Sequence, residues 1–382
     1  FCSVNPTIMD IFQFKVTQVT DVEHLEIPFA PNIFFLFVSP GFRAIDTFAE
    51  QLANTYPDAE IVGCSTSGEI LGDQVLDDCI ALTAIRFEST TLCVKETTLD
   101  QHPDSYAAGI ALRKAFQENG LRHIMVFSDG LHVNGAALVK GLNEGGTSYP
   151  SITGGLAGDG SDFKRTFTIT KEGVSTGKIV ALGLYGEQLQ IGYGSKGGWD
   201  SFGMERLVTK SKDNVLYELD GCPALELYKR FLGDKAKELP SSGLLFPLSL
   251  RNKKGQAPVV RTILSVDEEE QSLTFAGDVP EGAYVRLMKA NVDRLINGAE
   301  QSARIGTLED NGKDKLAFLI SCVGRRLVLK QLVEEEVEAV NGVLGEATYS
   351  TGFYSYGEIA PFDKFSPCSL HNQTMTITTL SE

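Results

Sequence analysis

Short apolar runs recur along the chain, each ending at a polar turn and each followed by a helical stripe. Ile33 to Val38 is apolar throughout and stops at Ser39-Pro40-Gly41. Ile124 to Phe127 stops at Ser128-Asp129-Gly130, and Leu316 to Ile320 at Ser321-Cys322-Val323-Gly324. Such unbroken runs suit strands buried on both faces. Ile45, Phe48, Ala49 and Leu52 then fall at i, i+3, i+4 and i+7, one face of a helix. The stripe returns as Gly135, Leu138, Val139 and Leu142, and in longer form as Leu329, Leu332, Val333, Val337 and Val340. Each helix leads to a second β-like stretch: Ala59 to Val62, Pro150 to Ile152, and Thr348 to Thr351.

Those second stretches enter three glycine-rich loops: GCSTSGEI at 63–70, TGGLAGDG at 153–160 and GFYSYGEI at 352–359. Aligned through Gly68, Gly158 and Gly357, each is followed by an acid: Glu69, Asp159 and Glu358. The second loop departs in carrying Thr153 where the others carry Gly63 and Gly352. Recurrence of strand end, helix, strand, glycine and acid in one order predicts three related supersecondary units. The spacing is too uneven for an open solenoid. The expected fold is therefore α/β: a closed, pseudo-symmetric globule of mixed sheets, built from three strand-helix-strand-loop-strand units with a non-repeating α+β insert.

The remaining patterning is local. Residues 1–30 predict an edge strand and an irregular lead-in. Cys79 to Phe87 with Thr91 to Val94 reads as a strand pair, and Lys178 to Tyr185 with Gln188 to Tyr193 as a hairpin. A helix is expected from about 104 to 118. The insert, roughly 195–315, predicts helices at Ala224 to Leu232 and Val292 to Ile305. Its strands are expected at Val259 to Val266, Leu273 to Phe275 and Tyr284 to Met288, with a turn at Glu268 to Gln271. Ser369 to Leu380 is the closing strand.

Composition narrows the function classes. With 382 residues, 42% hydrophobic and 22% charged, the chain has the make-up of a folded protein of two or three domains. Fifty acidic against 34 basic side chains give a net charge of −16, which repels nucleic-acid backbones and anionic lipid. Seven cysteines at irregular spacing, without CxxC or paired metal-ligand histidines, fit a reducing compartment, so a cytoplasmic location is expected. No apolar stretch approaches the roughly 18 residues of a membrane span. The sequence begins at Phe1 and leaves the true N-terminus open.

Gly, Ser and Thr at strand ends expose backbone N–H groups and hydroxyls without bulk, which can cradle a small polar ligand. Gly63, Cys64, Ser65, Thr66, Ser67, Gly68 and Glu69, with Gly154, Gly155, Gly158, Asp159, Gly352, Tyr354, Tyr356, Gly357 and Glu358, are the candidate binding residues. Their carboxylates suit a ligand bearing an ammonium or hydroxyl group better than a phosphate. The competing reading is that the glycines permit tight turns and the acids cap backbone amides. A GxGxxG at Gly192, Gly194 and Gly197 is followed by Gly198-Trp199-Asp200 instead of a phosphate-binding helix. GCSTSG is not a GxSxG elbow, so an enzyme would have to use Cys64 or a loop carboxylate. No metal set stands out. His132, after the second strand end, and His371, in the closing strand, are the weak candidates for a haem ligand.

The ordered run IVGCSTSGEI, GGLAGDG, NVLYELDGCPALELYKRFLG (214–233), FPL (246–248), GFYSYGEIAP and CSLHNQTMTIT resembles the FIST family. The resemblance implies a lead-in at 1–30, an N-type module at 31–220 and a C-type module at 221–382. It further implies a non-enzymatic intracellular sensor that binds a small, amino-acid-like ligand without a cofactor. Its partner would be a histidine kinase, a cyclic-di-GMP enzyme or a chemotaxis receptor. One branch of the family implies an alternative, a haem-binding nitric oxide sensor.

Overall fold

The three apolar runs are strands, Ile33–Val38, Leu121–Ser128 and Lys315–Cys322, buried along almost their whole length. The structure, a computed structural model, describes residues 9–147, 150–251, 258–309, 312–362 and 366–382. Each run pairs in parallel with the second strand of its own unit: Glu60–Ser65, Ser151–Leu156 and Thr348–Ser355. Parallel neighbours need a crossover, and the helical stripes supply it. These are α1 (Ile45–Thr55) and α3 (Gly135–Glu144); α2 (Ser105–Lys114) precedes the second unit and packs on α3.

On the other side of each first strand lies an antiparallel strand, Ile80–Arg86, Lys178–Tyr185 or Met375–Ser381. These are edged by Asp10–Val16, Thr91–Thr98 and Gln190–Lys196. Two expected pairings are thereby corrected. Ile80–Arg86 and Thr91–Thr98 do not pair with each other, nor do Lys178–Tyr185 and Gln190–Lys196, because the second strand of each couple crosses to the sheet of the following unit.

The strands after the loops are exchanged as well. Glu69–Leu71 and Gln74–Leu76 extend the sheet of the third unit, Thr168–Thr170 and Gly173–Ser175 that of the first, and Gly357–Pro361 and Cys368–His371 that of the second. Three six-stranded mixed sheets result, each finished by a neighbour. Their inner faces share one core, in which Phe37 lies 5.8 Å from Phe127 and 4.8 Å from Phe353, and Phe35 lies 4.6 Å from Phe318.

The long helix expected in the third unit is two, α6 (Val323–Leu329) and α7 (Val333–Leu344), broken at Lys330 with φ +52°. Leu332, placed on the apolar stripe, is exposed in consequence. The insert is also shorter than expected. Helix α5 (Val292–Gly306) packs on α7 and on Gln190–Lys196, as α2 packs on α3, so it belongs to the third unit. What remains is a sheet from Asp200–Lys212 to Tyr284–Lys289 with helix α4 (Ala224–Leu232) and a core of its own. Among the described residues no helix is long and apolar enough to cross a membrane, and the six described cysteines are free thiols.

Candidate functional site

The three glycine-rich loops meet. Ser67 N donates to Tyr354 O at 2.8 Å, Gly158 N to Ser65 O at 3.0 Å and Tyr356 N to Leu156 O at 3.1 Å, a ring of backbone hydrogen bonds linking each loop to the next. The ladder also corrects the loop alignment. Gly63, Gly154 and Gly352 stand opposite Leu36, Val126 and Leu319, so Gly154, and not Thr153, is the counterpart of Gly63 and Gly352. A Cβ at these three positions would lie 2.0, 1.9 and 1.9 Å from the facing carbonyl oxygen. The ring of hydrogen bonds makes Ser67, Gly158 and Tyr356 counterparts, each four residues after its glycine, so Gly158 and Asp159 are not the counterparts of Gly68 and Glu69. The alignment through Gly68, Gly158 and Gly357 is one residue out along the whole second loop.

Bringing the loops together fills the space between them. Ser65, Thr66, Ser67, Glu69, Tyr354, Tyr356 and Glu358 are all buried. Arg326 donates to Ser67 O at 2.6 Å and pairs with Asp77, which seats its guanidinium against Gly68. A Cβ at Gly158 would meet Ser67 Oγ, and one at Gly155 would meet Ile320 and Phe353. Cys64 lies fully buried in the phenylalanine core, where desolvation raises its thiol well above the ordinary range, with Glu69 adding to the rise.

The acids are satisfied from within. Glu69 accepts from Ser39 Oγ at 2.7 Å, from Thr66 Oγ1 and from Cys79 Sγ at 3.6 Å. Glu358 accepts from Ser355 Oγ at 2.7 Å and from Thr374 N and Oγ1 at 3.1 and 2.9 Å. The strand registers make Thr66 and Ser355 counterparts, as they do Cys79 and Thr374, so the two nests are the same construction. Burial raises Glu69 to about 7 and Glu358 to about 8, against hydrogen bonds that favour the charged form. Asp159 instead accepts from the amides of Phe163, Lys164 and Arg165 at 3.0, 2.7 and 2.8 Å, and from Tyr356 OH. This is the capping role that sequence reading held as its competing explanation.

A cavity of about 640 Å³ lies to one side, between α3 of the second unit, the insert and the Cys368–His371 strand. Ala136, Val139, Lys140 and Asn143 form one wall and Leu250, Val259, Arg261, Asp278 and Pro280 the other, with Phe362 and Leu370 between them. A neighbouring cavity of about 200 Å³ is lined by His132, Asn134, Leu156, Gly277, Tyr356 and Leu370. Asn134 Nδ2 donates to Asp278 Oδ1 at 3.2 Å, and Leu370 borders both spaces, so the larger cavity, the cleft, adjoins the smaller one. Of the sequence-chosen residues, Tyr356 and His132 line the smaller space and none lines the cleft.

Arg261 is the cleft's buried cation. Its Nε donates to Asp278 O at 3.2 Å and its Nη1 to Leu370 O and Val260 O at 3.1 and 3.3 Å, while Nη2 has no hydrogen bond among the described residues. Burial lowers it to about 10, and the nearby Asp278 carboxylate works the other way. Sequence reasoning missed both residues. The signal was a lone arginine inside the apolar run Val259-Val260-Arg261-Thr262-Ile263.

The two histidines offered as haem ligands sit in different settings. His371 is buried, donates from Nε2 to Ala360 O at 2.9 Å, is lowered by desolvation to about 4, and lines neither cavity. His132 is largely exposed and borders the smaller space of about 200 Å³. Its Nδ1 lies 3.0 Å from Asp129 Oδ1, an orienting pair, but no hydroxyl or thiol is hydrogen-bonded to it among the described residues.

Comparison with known proteins adds three findings. The FIST N domain model matches residues 32–222 and the FIST C domain model residues 224–361. A Methanocaldococcus jannaschii protein, uncharacterized protein MJ1623, is 25% identical over 222 residues, which is 54% of this chain and 41% of that protein. The chain thus matches less than half of that relative's length. A crystal structure of cyanuric acid hydrolase from A. caulinodans is similar over 98% of this chain and 99% of that one, at 7% identity and a TM-score of 0.35. That likeness is too loose to bear on chemistry.

Proposed function

The chain belongs to the FIST family, which is linked to signal transduction, and on that premise we propose that it is a non-enzymatic sensor of a small, amino-acid-like ligand. The ligand binds in the cleft between the repeated body and the insert. The observation that carries this reading is the cavity of about 640 Å³, which has walls from both bodies and is large enough for a small molecule. A ligand touching both walls favours the arrangement in which both contacts are made, and that differential affinity is what shifts a two-state equilibrium. The output surface then meets a signalling partner of the class the family suggests, a histidine kinase, a cyclic-di-GMP enzyme or a chemotaxis receptor. The net charge of −16 favours a basic face on that partner.

Filling the cleft tests the reading. Calorimetry with an amino-acid and metabolite panel is expected to give saturable binding to the protein and none to Ala136→Trp, whose indole would occupy the cavity. Equal binding to both would place the ligand elsewhere.

A further inference from the structure

We propose that Arg261 and Asp278 are the two polar anchors of the cleft, so that it takes a zwitterionic α-amino acid with an apolar side chain and refuses dicarboxylates and phosphates. This rests on the cleft being the sensory site and adds which groups read the ligand.

Arg261 is 8% exposed, and two of its three guanidinium nitrogens are committed to the carbonyls of Asp278, Val260 and Leu370. Those bonds fix the plane of the group and leave Nη2 without a partner. A buried guanidinium with one unused face is suited to a carboxylate, which gives a charge-assisted hydrogen bond and neutralises the cation. Asp278 lines the same cavity. Its Oδ1 is held by Asn134 at 3.2 Å, and its other oxygen has no hydrogen bond among the described residues. An acid in that position attracts an ammonium and repels a second anionic group on the ligand. Val139, Leu250, Val259 and Phe362 supply the apolar wall against which a side chain is buried.

The probes are L-leucine, its deaminated analogue 4-methylpentanoate, its decarboxylated analogue 3-methylbutylamine, L-glutamate and inorganic phosphate, titrated calorimetrically into the full chain. L-Leucine is expected to bind at least about tenfold more tightly than either analogue, since a hydrogen bond to a charged group carries roughly a factor of ten or more. Glutamate and phosphate are expected not to bind. Arg261→Met should lose L-leucine by at least tenfold, and Asp278→Asn should bind L-leucine and 4-methylpentanoate alike. If Arg261→Met fails to fold by circular dichroism, Arg261→Lys decides: it should weaken L-leucine while keeping the preference for it over 3-methylbutylamine. L-Leucine binding that is indifferent to Arg261 and Asp278 but abolished by Ala136→Trp overturns the anchors and leaves the cleft reading standing. Binding unaffected by Ala136→Trp overturns the cleft reading itself. Absence of L-leucine binding to the unaltered chain overturns the proposed ligand class.

Discussion

The loop junction and the cleft are both built where units meet, yet they treat polar groups in opposite ways. At the junction, glycines let backbones touch, and Glu69, Asp159 and Glu358 are answered by hydroxyls and amides of the protein itself. In the cleft, a buried arginine and a carboxylate each keep one atom unpaired beside a cavity. The difference teaches that a recurring glycine-acid loop can record how three sheets are joined without marking where a ligand goes. A candidate ligand site is better recognised by polar groups that border a cavity and keep an atom unpaired.

The strongest way to break this contrast is at the touching backbones. Gly63→Ala, Gly154→Ala and Gly352→Ala should each cost at least about 4 kcal/mol or prevent folding, because the added methyl has only backbone to displace. Urea denaturation measures it, and a loss under about 1 kcal/mol would show that the junction has slack. Next comes the ion pair under the third loop. Arg325 and Glu336 are both fully buried, joined at 2.7 Å, and Glu336 also accepts from Tyr354 OH at 2.7 Å. Removing one partner by Arg325→Met should cost about 3–5 kcal/mol.

A third experiment uses pH. Glu69 and Glu358 have folded-state values of about 7 and about 8 against an ordinary 4.5. The folded state therefore holds protons that the unfolded chain has released. Their contribution to stability is fully present below pH 4.5 and is lost as pH rises through 7 and then 8. His123 and His371, depressed to about 3 and about 4 by burial, work in the other direction and lose stability below about pH 6.5. Denaturation midpoints of Glu69→Gln/Glu358→Gln from pH 4.5 to 9 should lack the alkaline decline, a difference on the order of a few kcal/mol. An unchanged profile would mean that the nests are hydrated. The smallest effect belongs to the cleft: Asp278→Asn should change stability by under about 1 kcal/mol, while Asp159→Ala, which strips three amides of their acceptor, should cost about 1–3 kcal/mol. Similar losses in both would erase the distinction.

Much of the fold was legible because it is written in local periodicity. Ile45, Phe48, Ala49 and Leu52 are the buried face of α1, and helices at 224–232 and 292–306 fall where the stripes put them. Strand partners were not legible. Nothing local distinguishes Ile80–Arg86 pairing with its successor from that successor, Thr91–Thr98, leaving for the next unit's sheet. Matching Gly158 to Gly68 hid the true counterparts of Gly63 and Ser67 for a similar reason, since only the facing carbonyl of Val126 and the hydrogen bonds between loops reveal them. The cleft was invisible because Arg261 and Asp278 come from the insert. That segment has no copy elsewhere in the chain against which an odd residue would stand out.

The exchange of strands between units also sets a timetable. Met375–Ser381 lies between Gln190–Lys196 and Lys315–Cys322, so the strand at 190–196 leaves the ribosome roughly 10–40 s before its hydrogen-bonding neighbour at ordinary synthesis rates. Throughout that interval the nascent chain carries an unpaired edge. Its assembly is therefore a candidate for chaperone protection, and a stalled or truncated translation product should aggregate instead of accumulating as a half-built fold.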